Sequence, residues 1–397
     1  MNQLLLHNAR VIREDGIQHG GLMVRDGRIA EIFEHTQTPT GISSGESIDL
    51  GEGLLAPGLI DIHIHGSAGI DVQNTDNDGL STLSEFLLKE GVTGYFTTLV
   101  PTEEQRYRSA ISTVQSRIQA QVLSKGGARI LGIHFEGPFV SHNKCGALQP
   151  GHFRTYDGDP RSINTFVGLD GIPTLRSLMT VAPEVTGGID LTRELTRRGL
   201  RVFVGHTQAE PSTLDLAFEA GARHMTHFPN ALDPLHHRKP GAVAWGLLGE
   251  EVTMDCIADL CHVDPLMLRL IYRSKSASRM ALISDAIQPA GLGDGDYTVW
   301  GTRIAVRDGV TAVGEGPSKG ALAGSVITLR QAMKNMISIG VPVHEAVKMA
   351  SLTPARAAGV DSEIGSVETG KRADLISLDE EFDVGLAISA GEVLLRD

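Results

Sequence analysis

Short apolar, β-branched runs recur through the middle of the chain, each bounded by turn residues and separated from the next by a stretch of helical periodicity. Eight can be delimited: Leu59 to His65, Thr93 to Leu99, Ile130 to Phe135, Leu178 to Ala182, Arg201 to Gly205, His224 to Phe228, Val252 to Ala258 and Met280 to Ser284. Runs this apolar read as strands buried on both faces, and their alternation with helices is the signature of repeated βα units feeding a parallel sheet. They occupy about 230 residues, near the roughly 250 typical of a (β/α)8 TIM barrel, which is the expected α/β fold. Intervening helices show their own stops, as in Asp78 to Glu90 before Gly91 and Asp190 to Arg198 before Gly199.

The two ends of the chain change period. Leu4 to Ile12, Gly21 to Val24 and Arg28 to Ile32 read as strands, with Asp26-Gly27 as a hairpin turn between the last two. Ala373 to Leu378 and Gly391 to Leu395 repeat the style. The expected organisation is therefore a small β-sandwich domain from residues 1–57 and 363–397 around a barrel at 58–362. No fixed-period repeat or low-complexity tract interrupts it.

Composition narrows the partners. The chain has 397 residues, is 41% hydrophobic and carries a formal net charge of −13 without a basic block, which argues against nucleic acid or an anionic membrane. Its 46 glycines and 17 prolines suit a fold with many tight connections. Cys145, Cys256 and Cys261 are odd in number and lack CxxC spacing, so neither a disulfide framework nor a zinc knuckle is expected, and a reducing, cytoplasmic setting is. Met1 to Arg10 has no signal-peptide pattern, and no apolar run reaches the length of a membrane span.

Metal-competent side chains gather at the C-terminal ends of the expected strands, the active-site face of a barrel. They are His63 and His65 after the first, His134 and Glu136 after the third, His206 after the fifth, His227 after the sixth and Asp285 after the eighth. Strand geometry points His63 and His65 to one side, so they can share an ion. With 15 histidines in the chain, chance supplies roughly 0.6 HxH spacings, so the position of this one matters more than its spacing. Glu136 adds the anionic oxygen a hydrolytic metal site uses.

Six segments in this order carry a resemblance: Pro57 to Gly66 (PGLIDIHIHG), His134 to Phe139 (HFEGPF), Gly205 to Ala209 (GHTQA), Thr226 to Leu232 (THFPNAL), Ala258 to Asp264 (ADLCHVD) and Ser284 to Ala286 (SDA). The chain resembles the N-acetylglucosamine-6-phosphate deacetylase family of the amidohydrolase superfamily, over nearly its whole length, to the return at Gly370 to Leu375 (GKRADL). The resemblance implies hydrolysis of the N-acetyl amide of an amino-sugar 6-phosphate, with Glu136, His206 and His227 on the principal metal, His63 and His65 on a second, and Asp285 as general base and acid. It also implies substrate contacts from Asn230, Ala231 and His262, and a homodimer in which Arg238 reaches the phosphate bound to the neighbouring subunit. Guanidinium suits that task because its fork donates paired hydrogen bonds. Histidine and carboxylate donors accept zinc or iron, and also manganese or cobalt, one or two ions per subunit.

One departure bears on substrate. Where the family usually has a histidine that helps polarise the acetyl carbonyl, this chain has Leu148, in Cys145-Gly146-Ala147-Leu148-Gln149-Pro150. Leucine donates no hydrogen bond, so either His142 or His152 supplies one from a shifted loop, or the substrate is another small N-acyl or cyclic amide. A non-catalytic scaffold is the remaining alternative, opposed by the intact set of Glu136, His206, His227 and Asp285.

Overall fold

A computed structural model describes residues 3–34, 45–121, 126–166, 176–314 and 319–396. Eight parallel strands form the central sheet: Leu59–Ile64, Val92–Leu99, Arg129–Glu136, Arg176–Val181, Arg201–Val204, His224–Met225, Thr253–Ile257 and Met280–Ile283. Each pairs in parallel with the next in sequence. The ring closes between the eighth and the first through a parallel bridge of Ile64 with Ala286, reinforced by His65 N–H donating to the Ala286 carbonyl (2.8 Å) and Asp285 N–H to that of His63 (3.0 Å). The protein is thus a (β/α)8 barrel, built from the eight runs the hydrophobic pattern picks out.

Why the barrel is solid follows from where its apolar side chains meet. Ile62, Phe96, Leu178, Phe203, Ile257 and Ile283, from six different strands, belong to one buried cluster, and six strands of a ring share contacts only in its lumen. Ala355 and Ala358, on the helix Leu352–Ala358, join the same cluster and plug it. Burying such side chains stabilises by about 1.5–3 kcal/mol each. A larger cluster seats the outer helices on the strands. Asn77–Lys89 shows how local sequence sets a helix: Asp76 caps it by accepting from Gly79 N–H (2.9 Å), and Gly91 leaves it with φ +79°, a conformation that costs glycine little.

The chain ends meet in a second sheet, ordered Glu392–Arg396, Val384–Ser389, Leu375–Leu378, Leu54–Pro57, Gln3–Arg13, Gly16–Arg25 and Arg28–Glu34, with Glu46–Asp49 added to Gln3–Arg13. The hairpin at Asp26-Gly27 is as expected, both residues having positive φ. Its tip returns to the C-terminal strands, where Ala373 N–H donates to the Gly27 carbonyl, and the sheet encloses a core that includes Leu6, Val11, Leu22, Leu375 and Ile388.

Two features lie outside the sequence expectations. The sixth strand ends at Met225 rather than Phe228, because His227 takes φ +34° and leaves the ladder. After the eighth strand comes a three-stranded antiparallel insertion, Gly295–Val299, Thr302–Arg307 and Val310–Val313. Among the described residues no α-helix follows the third strand. Three 3-10 turns, His142–Lys144, Pro150–His152 and Pro160–Ile163, stand there instead, so the loop bearing Leu148 lies across the mouth of the barrel. No helix among the described residues is long and apolar enough to cross a membrane.

Candidate metal centre

Two groups of buried ligand atoms converge at the C-terminal end of the barrel: His63, His65 and Asp285, and Glu136, His206 and His227. In the second group Glu136 Oε1 lies 2.9 Å from His206 Nε2 and 3.1 Å from His227 Nε2. In the first, Asp285 Oδ1 lies 3.4 Å from His63 Nε2 and 3.2 Å from His65 Nε2. The two are not separate. Glu136 Oε2 faces His65 Nε2 at 3.3 Å, so one carboxylate presents an oxygen to each group.

Backbone geometry at the strand ends aims these side chains. His206, His227 and Asp285 all adopt positive φ, at +48°, +34° and +47°. Such conformations are costly for residues other than glycine and cluster at functional sites. The imidazoles are also oriented from behind: His206 Nδ1–H donates to the Lys144 carbonyl (2.7 Å) and His65 Nδ1–H to that of Thr98 (3.3 Å), which leaves each Nε2 lone pair for an ion. Asp255, buried beneath, accepts from the His227 backbone N–H and from His224 Nε2 (2.9 Å), and so fixes the bend at His227. Glu184 does the same beyond His206, accepting from Gln208 N–H (2.8 Å).

Electrostatics identify what the pocket favours. Burial would lower the pKa of His65, but hydrogen bonds it donates to Asp285 and Glu136 outweigh it and push it up to about 10. Burial likewise opposes ionisation of Glu136 and Asp285, yet the surrounding histidines hold both carboxyls below the ordinary range. The pocket is thus built for positive charge. Nε2 atoms that face each other, 3.3 Å apart in His63 and His65 and 3.0 Å in His206 and His227, are the arrangement a divalent cation satisfies. His134 belongs to the scaffold instead: Nδ1 pairs with the Ile62 carbonyl (2.9 Å) and Nε2 with Thr180 (2.8 Å), and burial, then the neighbouring His63, lowers its pKa to about 3.

The ligands floor a cleft of about 810 Å³ whose wall includes Asn230, Ala231 and His262. His262 is held by Asp259, Nδ1 to Oδ2 at 2.6 Å. Asn230 Nδ2 is buried without a partner in the structure, an unmet donor of the kind a ligand completes. The remaining expected contacts lie elsewhere. Arg238 is on an exposed loop, its Nη1 2.7 Å from His237 Nε2. His142 is exposed, its ring 5.1 Å from that of Phe153, and His152 lines a neighbouring cleft rather than this one. Neither is among the residues that line the metal cleft. Leu148 itself lines the metal cleft, and so does Trp300, which sequence reasoning missed. Trp300 sits at the tip of the three-stranded insertion with its ring 4.9 Å from that of His65. The signal available in sequence was the dipeptide Trp300-Gly301 between two alternating runs.

Comparison with known proteins agrees with this geometry. The amidohydrolase family profile matches residues 54–394. N-acetylglucosamine-6-phosphate deacetylase of Vibrio furnissii is 33% identical over 384 residues, covering 95% of this chain and 93% of the relative. N-acetylgalactosamine-6-phosphate deacetylase of Escherichia coli O157:H7 is 34% identical, covering 96% of each. Among solved structures, the chain superposes on N-acetylglucosamine-6-phosphate deacetylase of Thermotoga maritima with a TM-score of 0.86 at 30% identity, over 99% of this chain and 100% of that one. A mutant of the Mycobacterium smegmatis enzyme, in complex with N-acetyl-D-glucosamine-6-phosphate, gives 0.88 at 28% identity over the whole of both chains.

Proposed function

The chain belongs to the amidohydrolase family, and on that footing we propose that it hydrolyses the acetyl amide of an amino-sugar 6-phosphate, converting N-acetylglucosamine 6-phosphate to glucosamine 6-phosphate and acetate. The observation that carries the reading is the shared carboxylate: Glu136 faces both ligand groups, in a cleft that also holds an unmet amide donor on Asn230. Glu136, His206 and His227 would hold the principal ion, and His63 and His65, with Asp285 beside them, would hold a second. Bound there, a divalent ion lowers the pKa of water and polarises an amide carbonyl.

The rest falls to side chains. Asp285, ionised because His63 and His65 face it, takes the proton of the attacking water and returns it to the departing nitrogen, which leaves poorly as an anion. Asn230, Ala231 and His262 seat the sugar phosphate. Arg238 completes the phosphate site of a second copy in a homodimer. Leu235 on its loop, and Leu216, Leu248 and Leu266 on nearby helices, are exposed apolar residues that a partner subunit would cover. A cytoplasmic location suits a sugar-phosphate substrate and three unpaired cysteines.

The test is amine release by metal-loaded protein from N-acetylglucosamine, N-acetylgalactosamine and their 6-phosphates. The 6-phosphates should be preferred by at least about a hundredfold in kcat/KM, the scale of two charge-assisted hydrogen bonds. Metal-replete protein inactive on all four would refute the reading.

A further inference from the structure

The position at which this chain departs from its family opens onto a wall built from two elements. Leu148, 6% exposed, packs with buried Val100 and Val140 and with Phe153 and Trp300. Trp300 and Gly301 form the two-residue turn between Gly295–Val299 and Thr302–Arg307, with φ of +50° and +79°. Positive φ is an outlier for so bulky a side chain and suits asparagine or glycine far better, so tryptophan is held there at a cost. Gln149, next to Leu148, clamps the turn by donating from Nε2 to the Trp300 carbonyl (2.7 Å). Two segments far apart in sequence thus lock one apolar surface against the metal centre.

Its side of the barrel is informative. Val100 follows the second strand, Val140 and Leu148 the third, and Trp300 rests on His65 after the first. Asn230, Ala231 and His262 follow the sixth and seventh strands, across the ring from the first three. An amide carbonyl at the metal centre with its sugar toward Asn230 and His262 turns its acyl group toward Leu148 and Trp300. Behind them lies a second cleft, of about 580 Å³, with Ala147, Leu148 and Trp300 as shared walls and Gln73, Arg106 and His152 among its polar lining.

We propose that Leu148 and Trp300 set which acyl group this enzyme removes. They seat a short alkyl acyl chain in apolar contact and partition it from the polar cleft, so longer chains are excluded by side chains and not by backbone. The inference rests on the proposed amino-sugar deacetylase reading. One methylene against an apolar wall discriminates by roughly 10- to 200-fold, so two such residues suffice to select acetyl.

The experiment compares N-acetyl-, N-propionyl- and N-butyrylglucosamine 6-phosphate with the metal-loaded parent, Leu148→Ala, Trp300→Ala and Trp300→Phe, each checked for folding by thermal melting. The butyryl-to-acetyl ratio of kcat/KM should rise at least about tenfold in the two alanine variants and stay near the parent's in Trp300→Phe. Binding gives a second readout: indole fluorescence should respond to the acyl sugar phosphates in the parent and lose that response in Trp300→Ala. Ratios within threefold of the parent in both alanine variants would overturn the inference alone. A parent inactive on every acyl sugar would instead overturn the proposed function, and this inference with it.

Discussion

Replacing Asp285 by asparagine tests the proposed proton transfer while leaving the Glu136, His206 and His227 group intact. The side chain keeps its shape and one oxygen, and it is buried among partners that hold it in place, His63 Nε2 at 3.4 Å and His65 Nε2 at 3.2 Å. Glu136, His206 and His227 are untouched, so the metal content of that group should survive. What is lost is the proposed base. Burial would raise the pKa of Asp285, but the facing imidazoles of His63 and His65 outweigh it and hold the carboxyl below its ordinary range. In the parent it is therefore ionised at neutral pH, and activity should fall on acidification as it protonates. Removing a positioned acid-base group costs 10²- to 10⁴-fold in rate, so kcat for Asp285→Asn should fall at least about a hundredfold, about 2.7 kcal/mol of barrier. Amine release from N-acetylglucosamine 6-phosphate measures the rate, elemental analysis the metal, and circular dichroism the fold. Turnover within tenfold of the parent, with metal retained, would refute the assignment.

Other perturbations address the scaffold. His206→Ala or His227→Ala should remove the principal ion and activity together, whereas replacing both His63 and His65 should lower the metal count per subunit from two toward one, both read by elemental analysis. Asp255→Ala unpairs buried His224 and frees the bend at His227, and should cost about 3–5 kcal/mol in urea unfolding, the scale of a broken buried pair. Lys275 is buried, its ammonium donating to the Gly246 (3.0 Å) and Gly249 (2.5 Å) carbonyls, and burial lowers its pKa from 10.5 to about 8. Between those values the unfolded chain binds more protons than the folded one, so this group makes stability rise with pH from about 8 to 10.5. The urea midpoint should show that rise in the parent and lose it in Lys275→Met.

The parts of the fold legible in sequence are those where burial is complete. The strands Val92–Leu99 and Met280–Ile283 are buried at every residue, so the apolar run and the strand nearly coincide. The insertion at 295–313 was not among the expected elements because its short strands alternate buried with partly or fully exposed positions instead of forming an apolar run, and belong to no βα unit. At the site, residues at strand ends could be placed from the fold alone, as Glu136 and His206 illustrate. Trp300 could not, because its approach to His65 depends on how an inserted hairpin folds back across the barrel. His142 and His152 show the converse limit: nearness in sequence to Leu148 does not bring a ring into the same cleft, since the 3-10 turns around it send them outward.

The seam of the barrel gives the first ligand group a mechanical meaning. His63 and His65 leave the first strand and Asp285 leaves the eighth, on either side of the line where the ring shuts. An ion held by all three would be a clasp between the start and the end of a very long loop. Closing such a loop is entropically expensive in the unfolded chain, and a crosslink available only when the ends have met rewards the closed state alone. Metal loading should then slow amide exchange most at His65, Gly66 and Asp285, whose N–H groups bond across that line, and less at the opposite wall. The proposed catalytic centre would also be the fastening that keeps the cylinder from opening along its join.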